Sequence, residues 1–292
     1  MKILTLNLTW RYYDMRPDGI RVKSNDPMYE LMPFFLTHRY DAQNMINIDI
    51  PIAPMHRYIN EKRSEGKKMS HLGLVLAAYL RTAAEYPSLN RFIGGNHRIY
   101  AHRDFSVAMV VLRPGTAGGT SVKLHFDYTD TIFDVQRKIE EAVEKNRDVQ
   151  NNNNLDKFMS MLLSLPLLAP MATALLRFMD RHGLIPRSIC EISPFHASLL
   201  ITNLASIRTN YIYHHIYEFG TTSVAIAMGN LRDVPRDTRK GIILERCLPM
   251  GVVMDERICN GHYFAQAFSR MKEYLRDPSL LELPPKIINA EI

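Results

Sequence analysis

Near the C-terminal end stands Leu248-Pro-Met-Gly-Val-Val-Met-Asp-Glu-Arg-Ile-Cys-Asn-Gly261. Its apolar run from Met250 to Met254 reads as a strand, and the charged triplet Asp255-Glu256-Arg257 ends that run. After Gly261, Phe264, Phe268, Met271 and Leu275 recur at helical spacing on one face, and Pro278 stops the pattern. The stretch therefore predicts strand, charged turn and helix in immediate succession.

The same two periods alternate through the rest of the chain. Ile46, Ile48, Ile50 and Ile52 alternate with Asn47, Asp49 and Pro51, which predicts a half-buried strand that Pro51 confines to an edge or ends. A helix follows over residues 55–65, stopped by Gly66. Ser70 caps the next, whose apolar stretch runs through Leu74, Leu76, Ala77 and Leu80 to Tyr86-Pro87. Strand alternation returns at Phe105, Val107, Met109 and Val111, and again at Val122, Leu124, Phe126 and Tyr128. The loop between them, 114–120, has the glycines of a phosphate loop without the Gly-Lys-Ser/Thr ending. Thr131 and Asp134 form a capping box ahead of a stripe at Ile132, Val135, Ile139 and Val143. Strand-like runs follow at 199–202 and 224–228. The order of elements predicts one α/β or α+β domain with a helical hairpin inserted around 150–186, after the four asparagines 151–154.

With 46% hydrophobic and 23% charged residues over 292 positions, the chain is a folded globular protein and neither disordered nor fibrous. Three cysteines without a CxxC pair argue against a disulfide framework or a zinc ribbon, and fit reduced thiols in a cytoplasm. The net charge of +6 reads as a solvated, mildly basic surface. The alternative is a field that attracts an anion such as a phosphorylated cofactor or an acidic membrane surface. No basic run is interleaved with aromatics, so no nucleic-acid partner is expected. Asn7 and Arg11 break the first apolar stretch too early for a signal peptide.

Four segments together resemble the catalytic domain of the 2-oxoacid dehydrogenase acyltransferases, relatives of chloramphenicol acetyltransferase. Asp255, Arg257, Asn260 and Gly261 match the family's Asp-His-Arg-x-x-Asp/Asn-Gly, and Tyr274-Leu-Arg-Asp-Pro-Ser-Leu-Leu281 matches the helix end behind it. Upstream, Tyr86-Pro-Ser-Leu-Asn90 is similar to its Tyr-Pro-x-Leu-Asn turn. Ile201-Thr-Asn-Leu204 is similar to its Ile-Ser-Asn-Leu strand end, and Thr222-Ser-Val-Ala-Ile-Ala-Met-Gly229 to its Val-Ala-Ile-Leu-Gly strand. The order agrees over roughly residues 28 to 285. The resemblance implies a two-layer α/β (α+β) sandwich, a mixed sheet covered by helices, in one domain over 28–292 with the 150–186 insertion. Residues 1–27 are then an N-terminal extension. It further implies a homotrimer, with higher cubic assembly in some members, and active sites between subunits that take coenzyme A or acyl-CoA as cosubstrate. No metal is expected.

In that family the motif histidine removes a proton from the acceptor and a serine hydroxyl stabilises the oxyanion. The serine position is Thr202 here, which keeps the hydroxyl, and the histidine position is Glu256. An ordinary Glu has a pKa of about 4.3 against about 8.5 for a thiol, so thiol deprotonation is uphill by on the order of 5–6 kcal/mol; for His, at about 6.5, it is about 3 kcal/mol. Burial of the carboxyl would narrow that gap. Asn260 matches members with Asn at that place. His196, His214 and His215 lie near the Thr202 strand in sequence and are the surrogate bases. The family's Gly after Ser-Asn-Leu is Ala205, and its Gly-Leu-x-x-Pro strand is replaced by Gly119-Thr-Ser-Val-Lys.

No lipoyl domain or Ala/Pro-rich linker precedes the core, so the resemblance implies a stand-alone acyltransferase whose acceptor is a small molecule or a separate carrier. The alternative is a catalytically inactive homotrimer acting as scaffold or ligand-binding module. From Phe158 to Leu176 the chain carries 19 residues without a charge. Pro166 and Pro170 divide that run, so two short helices are expected rather than a membrane span. Peripheral membrane contact through 158–176 is the other reading, which would make a cytoplasmic protein membrane-associated.

Overall fold

A computed structural model describes residues 15–24, 26–112, 119–147, 169–239 and 241–289, with Lys157, Met161, Ser164 and Glu291. The decisive stretch ends β11 (Gly241–Asp255), which pairs with three other strands. β10 (Arg232–Thr238) forms a hairpin with its first half, while β3 (Gln43–Pro51) and β9 (Val224–Met228) flank its second half. β9 runs parallel to β8 (Leu199–Asn203), and β8 parallel to β6 (Phe105–Leu112). β7 (Gly119–Phe126) pairs antiparallel with β6 at the far edge. The result is a mixed seven-stranded sheet in the order β10-β11-β9-β8-β6-β7, with β3 along β11. Pro51 ends β3, where its missing N–H costs no ladder bond.

Four helices cover one face: α2 (Ile52–Ser64), α3 (His71–Glu85), α4 (Ile132–Arg147) and α7 (Gly261–Arg276). Alternate strand residues, including Ile50, Val107, Ile201, Ile226 and Val252, share one buried core with them. The local signals explain the boundaries. Ser70 Oγ accepts from Gly73 N at 3.0 Å. Thr131 N donates to Asp134 Oδ2 at 3.0 Å while Asp134 N donates back to Thr131 Oγ1 at 3.4 Å, so the capping box is reciprocal. Phe264, Phe268, Met271 and Leu275 of α7 are all buried, each contributing about 1.5–3 kcal/mol of apolar burial.

The other face is built from small residues. Ala108, Ala225, Ala227 and Gly251 are buried there beneath a strap, residues 208–223, that is neither helix nor strand. A Cβ on Gly251 would stand 2.2 Å from the Ile212 carbonyl oxygen, and one on Gly229 would stand 2.1 Å from Tyr211 N. Glycine is required at both places by the close approach of the strap. Ile216 packs on Ala225 and Val253.

A second sheet joins β1 (Met15–Arg16), β2 (Gly19–Arg21), β5 (Ile99–His102) and β4 (Arg91–Ile93), in that order. Residues 15–21 of the expected extension thus pair with the body, and α1 (Pro27–Phe35) follows, capped by Asp26. From the inserted region the structure describes α5 (Ala169–Arg181); α6 (Arg187–Ile192) follows just beyond its expected end at 186. The asparagine tract, the 113–118 part of the glycine loop and most of the uncharged run before Ala169 lie outside the described residues. Among the described residues no helix is long and apolar enough to cross a membrane.

Candidate active site

The turn after β11 is rigid because its charges are buried in pairs. Arg257 Nε and Nη2 donate to the two oxygens of Asp255 at 2.8 and 2.7 Å, and Arg257 Nη1 donates to the Leu36 carbonyl at 2.9 Å. Arg39 Nε stands 3.5 Å from Asp255, and all three side chains are at most 3% exposed. Arg39 Nη1 also donates to the carbonyls of Tyr217 at 2.6 Å and Gly220 at 3.1 Å. One guanidinium thereby ties the strap to the turn. Asp255 and Arg257 pair with each other within the turn, so they orient the residue between them.

That residue is Glu256, which is partly exposed. Its backbone N–H donates to Ala42 O at 2.9 Å and its Oε2 accepts from Asn44 Nδ2 at 2.7 Å. Asn260, four residues on, caps α7 through Oδ1, which accepts from Tyr263 N at 2.7 Å. Its side-chain oxygen is therefore used in holding the helix start.

Thr202 is not beside them. It lies on β8, paired with Ala227, which pairs with Gly251 of β11. Glu256 is five residues beyond Gly251, roughly 17 Å along the strand at 3.3–3.4 Å per residue, and two strands to the side. Within one copy, Thr202 and Glu256 stand at opposite ends of the sheet. Leu199 and Ile201 point to the helices, so Leu200 and Thr202 face the strap side.

The three histidines part company. His196 is buried, with Nδ1 2.8 Å from Ser193 Oγ and Nε2 3.1 Å from Asp180 Oδ1, so both nitrogens are occupied. Asp180 also accepts from Gly220 N at 2.8 Å and faces Arg16 at 3.5 Å. Burial alone would push this carboxyl up; the His196 hydrogen bond, Gly220 and Arg16 more than offset it and hold it below its usual range. His196 is a structural group. His214 and His215 lie on the strap with stacked rings 5.0 Å apart. His214 Nδ1 is 2.8 Å from the His215 carbonyl, which only accepts, so Nδ1 is the donor in that contact. Ile212, two residues earlier, touches Gly251 at the level of Thr202, and Ile216, two later, packs near Leu200. His214 therefore lies on the same face and at the same end of the sheet as Thr202.

Among the described residues, two groups of side chains come close enough to hold a metal ion, Asp18–Cys190–His196 and Asp104–His125–Glu191. In the first, Arg16 hydrogen-bonds Asp18 and burial pushes the Cys190 thiol up to about 12, which disfavours the thiolate a metal needs. In the second, His125 stands between the carboxylates, Nδ1 3.5 Å from Asp104 and Nε2 3.1 Å from Glu191. Burial also raises the Cys259 and Cys247 thiols, so neither is a ready nucleophile. Two neighbours of the turn left no trace in the sequence pattern: Asn44, 212 residues before Glu256, and Arg39, which sits in no periodic run.

No family model matches this chain, and no curated protein matches it in sequence. Solved structures do. The dihydrolipoamide acetyltransferase of Azotobacter vinelandii is 15% identical, covering 90% of this chain and 95% of its own, with a TM-score of 0.59. The cubic core of a pyruvate dehydrogenase multienzyme complex is 14% identical over 90% and 95%, with a TM-score of 0.57. Chloramphenicol acetyltransferase is 11% identical over 88% and 99%, with a TM-score of 0.53. The fold is chloramphenicol acetyltransferase-like. This fold accounts for the mixed sheet and for the helices on one of its faces.

Proposed function

We propose that this chain moves an acyl group from a coenzyme A thioester to a small-molecule or carrier-borne acceptor, in a homotrimer whose sites form between copies. The observation that supports the reading is the placement of Thr202 and Glu256. Both are partly exposed, and they lie at opposite ends of one sheet, so Thr202 of one copy completes a site with Glu256 of the next. In the Azotobacter acetyltransferase a serine, a histidine and an asparagine were probed for roles in the catalytic mechanism, the last two four residues apart. Glu256 and Asn260 keep that spacing.

In this mechanism Glu256 takes the proton from the acceptor's heteroatom, whose electron pair then attacks the thioester carbonyl carbon. The carbonyl π pair moves onto oxygen, and the Thr202 hydroxyl donates a hydrogen bond to that oxyanion. Collapse re-forms the carbonyl and breaks the C–S bond. The coenzyme A sulfur leaves with the electron pair and takes the proton back from Glu256. The Asn44–Glu256 hydrogen bond aims the carboxylate, and it equally favours a second reading in which Glu256 is a structural group of a non-catalytic scaffold.

Purified protein mixed with acyl-CoA donors and a panel of thiol, amine and alcohol acceptors distinguishes the two. Release of free coenzyme A above background, abolished in Glu256→Gln, is expected. Release that survives Glu256→Gln and is lost in His214→Gln moves the base to His214. No release, with no thermal shift from coenzyme A and an intact trimer, refutes transfer and leaves the scaffold.

A further inference from the structure

Under the strap lies a cavity of about 130 Å³ that Thr202, Glu256 and Asn260 do not line. Its floor is Leu200 and Ile216, its walls include Phe195, Tyr217 and Phe219, and Val110 and Tyr217, both exposed, stand at its rim. The aromatic wall is self-supporting: Phe195 meets Tyr217 edge-on at 4.9 Å and Phe219 at 5.6 Å. Thr222 also borders the space, yet its hydroxyl is consumed by the backbone, donating to Phe195 O at 3.1 Å and accepting from Ala197 N at 3.4 Å. His214 borders it with Nδ1 already engaged. No charged side chain lines the space. Ser121, Thr222 and His214 supply polar groups but no fixed charge, so a phosphate or carboxylate would be desolvated there without an ion-pair partner, whereas an apolar group gains by entering.

Size narrows the class. A cavity of about 150 Å³ lined by aliphatic and aromatic side chains holds one benzene, so this one takes about four to six apolar heavy atoms. Position narrows it again. Thr202 is two residues beyond Leu200 on the same face of β8, about 6.6 Å along the strand. A thioester carbonyl presented to Thr202 would run its acyl tail back toward Leu200 and into the cavity.

We infer that the cavity is the acyl subsite, and that it selects apolar acyl groups with about four to six carbons beyond the carbonyl over acetyl and over long-chain fatty acyl groups. The inference rests on the acyl-transfer reading above. Even one methylene in a fitted apolar pocket discriminates by about tenfold or more, so the preference should be at least tenfold over acetyl.

The test uses the full chain with acetyl-, butanoyl-, hexanoyl- and palmitoyl-CoA, in wild type and in Val110→Trp, a change at the exposed rim chosen to plug the mouth while sparing the core. Benzene binding, followed by methyl NMR shifts of Leu200 and Ile216, reads the cavity without activity. The expected result is hexanoyl-CoA turned over at least tenfold better, as kcat/KM, than acetyl- or palmitoyl-CoA, with butanoyl-CoA between them. Val110→Trp should erase that preference together with the benzene shifts. Turnover that is indifferent to chain length and to Val110→Trp overturns the subsite alone. Absence of coenzyme A release from every thioester, with benzene still bound, overturns the acyl-transfer reading and with it the cavity's role as a substrate site.

Discussion

Acid should loosen the strap through His102. This residue ends β5, is 4% exposed, packs its ring 4.6 Å from Phe92 and places Nε2 3.3 Å from the Thr221 carbonyl of the strap. Burial lowers its pKa from 6.5 to about 4, against the opposing pull of Asp18. The unfolded chain therefore binds this proton first as pH falls. Stability from the neutral ring is present above the unfolded value of 6.5 and is lost between there and about 4. Linkage between those two values gives a loss of about 2.5 kcal/mol on going from pH 7 to pH 4.5. The perturbation is His102→Gln, which keeps a donor for Thr221 and removes the titration. Urea unfolding at fixed protein concentration, at pH 7 and pH 4.5, measures the effect. The variant should lose about 2.5 kcal/mol less than wild type over that interval, whatever its stability at pH 7. Equal losses in the two proteins would show that His102 does not titrate in the folded state as its burial requires.

Three further outcomes follow from the site. Asp255→Asn leaves the buried Arg39 and Arg257 without their shared anion and should cost about 3–5 kcal/mol, read as a lower urea midpoint with an unchanged slope. Gly251→Ala sets a methyl against the Ile212 carbonyl and should cost about 1–3 kcal/mol, whereas Ala→Gly at neighbouring Ala227 should not displace the strap; amide exchange over 209–217 tells them apart. If acyl transfer is the activity, Thr202→Ala should lower kcat about 10²–10³-fold while Thr202→Ser largely restores it, in a coenzyme A release assay.

Where a segment's own period matches its burial, the fold was legible in the sequence. The strands at 105–112, 199–203 and 224–228, the Ser70 cap and the α7 stripe all stand where their alternation or spacing puts them. β10 was not legible, because Arg232 to Thr238 is polar, carries Pro235 and is held only by pairing with β11, an interaction that sequence alternation does not encode. The short strands of the second sheet escaped for a related reason: two to four residues hold no full period. Of the site, Glu256, Asn260 and Thr202 were marked by motif. Their separation across the sheet was not, since register is a pairing property. His196 looked equivalent to His214 in sequence and differs in that it is buried and claimed by Ser193 and by Asp180 of α5.

The strap makes one mechanical unit of features that the motif treats separately. It is pinned at the Thr202 end where Thr209 O accepts from Asn230 N and Tyr211 lies on Gly229. At the Glu256 end its Ile216 and Gly220 carbonyls accept from Gln43 and Arg39. Between those anchors it carries His214 and supplies Ile216, Tyr217 and Phe219 to the cavity. Asp180, the only buried residue of α5, holds Gly220 N, so the inserted region reaches the turn through the same segment. Small residues beneath the strap keep it flat, and backbone carbonyls rather than side chains make most of its anchors. Its position is therefore set by the glycines and guanidinium that face it more than by its own sequence. Substitutions at Gly229, Gly251, Arg39 or Asp180 should consequently disturb cavity and turn together, while substitutions of exposed strap residues such as Tyr213 should disturb neither.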